Sequence, residues 1–202
     1  MRLGIDFDNT IACYSTVFQR LAAERGLVPA DPALSKNQVR DLLRRQGRED
    51  DWTELQGYVY GPGMAQVETF PDVAPCLRLL LEAGVEVNII SHKTRTPYRG
   101  PKWDLRQAAQ DWLEQQGFFD PSKIGLARAN VFFELTLAEK LQRIAQQACT
   151  HFLDDLPELL AEPGFPAGVH RLLFDPEEAH GAEPFERIRS WPELATWIQN
   201  YR

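Results

Sequence analysis

Apolar positions along this chain fall into two alternating rhythms. Short apolar runs occur at 2–7, 85–90, 130–134, 151–153 and 169–174. Between them the spacing turns helical. Val73–Ala83 is stopped by Gly84, and Trp103–Gln116 is stopped by Gly117. Leu137–Ala148, Leu156–Ala161 and Pro192–Gln199 follow the same pattern. Strands alternating with helices predict an α/β fold: a parallel sheet of about five strands, with helices on both faces.

One stretch breaks the alternation. From about Tyr14 to Phe70 no strand is legible, and Tyr14–Arg25, Lys36–Arg45 and Trp52–Tyr60 read as helices. Gly26, Pro29, Pro32, Gly47, Gly61, Pro62 and Gly63 punctuate them. The pattern predicts a core of 1–25 and 71–202 interrupted by a small helical insertion at about 26–70. Tyr60-Gly61-Pro62-Gly63 would be its hinge.

The 202 residues are 44% hydrophobic and 25% charged, enough to build one buried core without disulfides or a structural metal. The net charge of −7 argues against nucleic acid or an anionic membrane as partner. The cysteines Cys13, Cys76 and Cys149 are sparse and contain no CxxC pair, which suits reduced thiols in the cytoplasm. Asp6 and Asp8 arrive before the apolar stretch of a signal peptide could form, and no run approaches about 18 apolar residues.

In open parallel sheets, ligands bind beyond the carboxyl ends of the strands. Three of the predicted strands end in chemically notable residues. The first runs into Asp6-Phe7-Asp8-Asn9-Thr10, the second into Ser91-His92-Lys93, and the fourth into Asp154-Asp155. Once the sheet forms, four carboxylates converge. Clustered anions raise one another's pKa, and a divalent cation relieves that. Hard oxygen donors without paired His or Cys select Mg²⁺ over Zn²⁺. Mg²⁺ takes a few carboxylates plus a phosphate oxygen, so the set points to a phosphate substrate. At a strand end, one of Asp6 and Asp8 can attack phosphorus while the other handles the proton of the leaving oxygen. The competing use of these acids is structural, since aspartate also caps helices, and Asp155 stands just before Leu156-Pro157.

Taken in order, these segments resemble the haloacid dehalogenase-like (HAD) superfamily. Asp6-Phe7-Asp8-Asn9-Thr10 is similar to its first motif, DxDxT after an apolar strand. Ile89-Ile90-Ser91 resembles the second. Lys140, in Leu135-Thr136-Leu137-Ala138-Glu139-Lys140, matches the third-motif lysine, and Phe152-Leu153-Asp154-Asp155 resembles the fourth. The resemblance covers residues 1 to about 155 and implies a Rossmann-like core with the insertion as a helical cap.

It also implies roles. Asp6 would be the nucleophile and a Mg²⁺ ligand. Asp8 would be the acid/base and give its backbone carbonyl to the metal. Ser91 and Lys140 would hold the transferring phosphoryl oxygens. Asp154 would be the third anchor of Mg²⁺, with Asp155 supporting it through water or pairing with Lys140. Thr10 would orient the nucleophile's loop, and Asn9, His92 and Lys93 would line the substrate.

The implied activity is a Mg²⁺-dependent phosphatase working through an aspartyl-phosphate on a small phosphorylated metabolite. A sugar- or polyol-phosphate is preferred over a nucleotide. A phosphotransferase or phosphomutase, and a phosphate-binding module without catalysis, remain as alternatives. True dehalogenases lack the acid two residues after the nucleophile, which Asp8 supplies here. Phosphonatases use a lysine of the helical insertion, and between Ile11 and Phe70 the chain has Lys36 alone.

Two further features have both a functional and a structural reading. Between His92 and Arg106 stand Lys93, Arg95, Arg99, Lys102 and Arg106 against the single anion Asp104. This basic segment either meets a second negative group on the substrate or is a solvated loop. Trp52, Tyr58 and Tyr60 either stack on a ligand ring or pack the insertion's core, the latter being the more usual fate of aromatic residues at helical spacing.

Overall fold

The computed structural model describes residues 1–31 and 33–201; Pro32, one of the punctuating residues above, lies outside them. In chain order the elements begin with β1 (Arg2–Ile5), α1 (Ser15–Glu24), α2 (Lys36–Arg45), α3 (Glu49–Tyr60) and α4 (Val73–Glu82). They continue with β2 (Glu86–His92), α5 (Leu105–Gln115), β3 (Val131–Glu134), α6 (Leu137–Gln146) and β4 (His151–Asp154). The last are α7 (Pro157–Leu160), β5 (His170–Phe174), β6 (Glu186–Ile188) and α8 (Trp191–Tyr201). A separate short pair joins Ala12–Cys13 to Glu68–Thr69. No helix among the described residues is long and apolar enough to cross a membrane.

The described residues pack as two units. The first contains residues 1–12, 69–92 and 114–201; the second contains 13–68 and 93–113. This grouping differs from an insertion confined to about 26–70. The second unit starts earlier because α1 packs with α2 and α3. It also takes in the chain after β2, where Pro97 lies so close to Gly57 that a Cβ there would meet its ring at 2.8 Å.

The first unit holds one six-stranded sheet in the order β3-β2-β1-β4-β5-β6, every neighbouring pair parallel. That is the doubly wound order in which the strand sequence reverses beside β1. The sheet has six strands, one beyond the five apolar runs of the sequence. The sixth, β6, is three residues long with only Ile188 fully buried, too short and too polar to show as an apolar run.

Side chains alternate across the sheet. On one face Ile90, Phe152 and Leu173 pack with Leu141 and Ile144 of α6 and with Leu159 and Leu160 of α7. On the other, Phe174 meets Trp191, and His151 meets Trp197 of α8. Cys76 of α4 donates its thiol hydrogen to the Trp191 carbonyl oxygen at 3.2 Å. Gly4 sits between these strands because nothing larger fits: a Cβ there would collide with the Phe152 ring.

The second unit contains α1, α2, α3 and most of α5. Val17, Phe18, Leu21, Val39, Leu43, Trp52, Leu55 and Val59 form its buried interior. Trp52 lies against Phe18 with ring centres 5.2 Å apart, so it is a packing residue here. Tyr58 meets Trp103 edge-on at 5.8 Å.

Candidate active site at the strand ends

Register alone brings two acids level. Ile5 of β1 is paired with Leu153 of β4, so the next residues, Asp6 and Asp154, leave adjacent strands side by side. The Asp6 amide still donates to the Leu153 carbonyl at 2.9 Å, which holds the first residue past β1 in the sheet. The chain then turns sharply. The amides of Ile11 and Ala12 both donate to the Phe7 carbonyl at 3.0 Å, and that of Asn9 donates to Ala12 at 2.9 Å. Asn9 takes φ 57°, a left-handed conformation that asparagine tolerates better than most residues, so it shapes the turn carrying Asp8.

Lys140 completes the arrangement. Its ammonium donates to Asp6 Oδ1 at 2.6 Å and to Asp154 Oδ2 at 2.6 Å, and all three side chains are buried. The other Asp154 oxygen accepts from the Leu156 amide at 3.0 Å. The direction of Lys140 is set by the start of α6. Thr136 Oγ1 accepts from the Glu139 amide at 3.1 Å, while Glu139 Oε2 accepts from the amides of Thr136 and Leu135 at 3.0 and 2.9 Å. This reciprocal cap fixes the first turn, and Lys140 is the next residue. Thr136 and Glu139 are positioning residues absent from the sequence reading, although T-x-x-E before an apolar stretch is their signature.

The electrostatics follow from burial. Desolvation pushes the Asp6 carboxyl up from 3.8 to about 6; Lys140 opposes this, while Asp154 and Asp8 reinforce it. For Lys140, burial favours the neutral amine, but the carboxylates of Asp154 and Asp6 outweigh it and hold the ammonium above its ordinary range.

Asp6, Asp154 and Asp155 each offer a carboxylate oxygen, all within 4.8 Å of one another. Asp155, for which support through water or pairing with Lys140 is the expectation, offers one of these oxygens. Asp8 is half-buried in the turn and is outside this trio of side chains. The donors of this trio are all carboxylate oxygens. A divalent hard cation such as Mg²⁺ fits that set.

Ser91, 1% exposed, ends the buried part of β2. Since Ile5 is level with Ile89, Ser91 stands two positions beyond the end of β1 on the next strand. Thr10 is fully buried, its carbonyl accepts from Trp191 Nε1 at 3.2 Å, and its Oγ1 has no hydrogen-bond partner among the described residues. His92 is exposed, with Nε2 2.9 Å from the Leu135 carbonyl oxygen. Lys93 belongs to the second unit and is the one buried cation of the basic segment.

The other cations of that segment have local partners. Arg95 pairs with Asp104 at 3.3 Å, and Arg99 with Asp50 at 3.0 Å and Glu54 at 3.1 Å. Lys102 donates to the Pro97 carbonyl at 2.9 Å, and Arg106 Nε donates to that of Lys93 at 2.9 Å. For Arg95 and Arg99 this is the solvated reading, since exposed ion pairs contribute little.

Asp175, just past β5, was not singled out by the sequence. It is 2% exposed, accepts from the Ala179 and His180 amides at 2.8 and 3.3 Å, and pairs with Arg187 at 3.2 Å. These contacts tie the loop between β5 and β6 to the sheet edge.

No protein-family model matches the chain, and no curated protein matches it. Solved structures do. A dehalogenase shares 15% identity at a TM-score of 0.61, with 97% of this chain and 96% of that chain covered. A HAD family hydrolase from Deinococcus radiodurans R1, solved with bound phosphate and sodium, shares 16% identity at 0.59, covering 98% and 95%. The putative HAD-hydrolase YfnB from Bacillus subtilis, bound to magnesium, shares 14% identity at 0.57, covering 98% and 97%. The chain thus has the fold of the HAD-superfamily hydrolases.

Proposed function

We propose that this protein is a Mg²⁺-dependent phosphatase that hydrolyses a small phosphorylated metabolite through an aspartyl-phosphate on Asp6. The reading is carried by one observation: Asp6 and Asp154, from strands far apart in the chain, share the buried Lys140 ammonium, and Asp155 stands within the same 4.8 Å cluster. The phosphate-bound hydrolase and the magnesium-bound YfnB support it by analogy of fold.

In this reading Asp6, Asp154 and Asp155 hold the cation, with the Asp8 backbone carbonyl. When bound, the cation would draw the buried carboxyls to their ionised form and neutralise the phosphoryl oxygens. The chain's own residues do the rest. Asp6 attacks phosphorus as the leaving oxygen departs. Asp8 gives that oxygen its proton, then takes one from the water that attacks the aspartyl-phosphate. Lys140 balances charge at the transferring group and keeps the Asp6 oxygen aimed, and the Ser91 hydroxyl holds a phosphoryl oxygen. Asn9 and Thr10 shape the turn beneath the phosphoryl group, and His92, just past Ser91, lines the approach.

Asp8 also separates this reading from dehalogenase chemistry, which needs no acid two residues after the nucleophile. The test is Mg²⁺-dependent phosphate release from a panel of phosphorylated metabolites, with Asp6→Asn as control. Turnover by the parent protein and none by Asp6→Asn is the expected result. Undiminished turnover by Asp6→Asn overturns the nucleophile assignment, and no turnover of any ester by the parent favours a phosphate-binding module.

A further inference from the structure

The turn that carries Asp8 is fastened from outside by two donors that the chemistry above does not use. Its inner bonds run from the Ile11 and Ala12 amides to the Phe7 carbonyl and from the Asn9 amide to that of Ala12. Two more of its carbonyls accept from elsewhere in the first unit. That of Ile11 accepts from the Phe70 amide at 3.0 Å. That of Thr10 accepts from the Trp191 indole at 3.2 Å, across 181 residues of chain. The Thr10 hydroxyl is buried and has no hydrogen-bond partner among the described residues. Thr10 is therefore tied to α8 through its carbonyl, and its side-chain oxygen adds nothing to the tie.

Trp191 is itself firmly seated. It is 1% exposed and is the first residue of α8. Ser190 Oγ accepts from the Glu193 amide at 3.2 Å, and Glu193 Oε2 accepts from the Arg189 amide at 2.6 Å, so the first turn of the helix is capped in both directions. Cys76 of α4 holds the Trp191 carbonyl oxygen at 3.2 Å. The Phe174 ring, at the end of β5, lies 6.4 Å from the indole and meets Phe70 edge-on at 5.0 Å. A buried indole N–H needs an acceptor, and this one takes a main-chain oxygen of the Asp8 turn.

Magnitudes separate what this bond does for the fold from what it does for chemistry. One neutral hydrogen bond adds modestly to stability, whereas a reacting group displaced by about 1 Å can lose about a hundredfold in rate. Asn9, at φ 57°, holds a conformation that persists when its surroundings over-determine it. A tether on the very next residue bears directly on that conformation.

We propose that Trp191 is a positioning residue for Asp8: its indole N–H, through the Thr10 carbonyl, holds the turn in the form that brings Asp8 to the leaving oxygen. The effect on turnover rests on the phosphatase reading; the hold on the turn does not.

Two variants delete the N–H. Trp191→Phe keeps a ring, and site-specific replacement of Trp191 by 3-benzothienylalanine keeps the whole shape and puts sulfur where the N–H was. Ile198→Ala, which empties a buried position on the same helix away from the turn, is the control for stability alone. In the metal-free protein, hydrogen exchange read by NMR should quicken about tenfold at the Asn9, Ile11 and Ala12 amides in both Trp191 variants, with the Asp6 amide unchanged. Ile198→Ala should leave the turn amides as they are relative to Asp6.

The second readout compares esters by how much they need an acid. For the best alkyl phosphate of the substrate panel, kcat/KM should fall about tenfold in the Trp191 variants; for 4-nitrophenyl phosphate, whose leaving oxygen needs little protonation, it should fall less than about threefold. A purely structural loss lowers both alike, as Ile198→Ala should. Turn amides as protected as in the parent, or equal losses for the two esters, overturn the proposal. If the parent hydrolyses no ester, the phosphatase reading fails, while the exchange rates still decide whether Trp191 holds the turn.

Discussion

Asp6 and Asp154 stand level on neighbouring strands and share one ammonium, each with an oxygen 2.6 Å from Lys140 Nζ. Two carboxylates and a lysine, all buried, have little water to fall back on. Removing the lysine leaves two anions facing each other. Lys140→Met is expected to cost about 3–5 kcal/mol in the metal-free protein, measured by urea unfolding in EDTA, and saturating Mg²⁺ should restore part of it. A loss below about 1 kcal/mol would mean that the acids find other compensation.

The raised pKa of Asp6 sets a pH window. Its folded value of about 6 lies above the ordinary 3.8, so the metal-free fold favours the protonated form. The stability gained is fully present below about 3.8 and is lost as pH rises through about 6. A cation needs the ionised form and competes with that proton. Mg²⁺ affinity, read by calorimetry, should therefore weaken about tenfold between pH 7.5 and pH 5. A flat profile would separate Asp6 from the metal.

The cap of α6 should matter more to turnover than to stability. Thr136→Ala removes the oxygen that accepts from the Glu139 amide and should cost about 1 kcal/mol in unfolding. Phosphate release should fall further than that loss explains, because the turn that aims Lys140 loosens. Thr136→Ser, which keeps the oxygen, should recover both. Equal activity in Thr136→Ala would relieve the cap of any role in aiming Lys140.

Gly4 is under steric rather than conformational demand. Gly4→Val pushes methyl groups into Phe152 and Cys149 and should cost about 1–3 kcal/mol. The check is the thermal midpoint of Gly4→Val alone and with Phe152→Leu. A smaller loss in the double variant than in Gly4→Val would identify the collision as the cause.

What could be read from the sequence depended on how each feature is encoded. An apolar run ending in an acid is a local signal, so the strands before Asp6 and Asp154 stood out, and parallel alternation then placed their ends on one side. β6 escaped because three residues with one buried position make no run. Spacing also gave no view of packing partners. Residues 93–113 follow β2 in the chain but group with α1–α3 through close contacts such as Gly57 with Pro97, which helical spacing does not reveal. Within the basic segment, charge alone could not distinguish Arg99, spent on surface carboxylates, from Lys93, buried against Tyr60. Asp175 was silent because its partners are amides and an arginine contributed by the following loop and strand.

The pairing of β1 with β4 has a bearing on when the protein can work during its own synthesis. β1 leaves the ribosome before β4, and the neighbour that brings the second acid level with Asp6 lies almost 150 residues later, as the 148-residue separation of Arg2 and Thr150 records. Closing so long a loop is slow and comes late. A nascent chain halted before residue 154 therefore carries Asp6 with no level partner, and chemistry should switch on only after that strand has emerged and zipped into the sheet's middle.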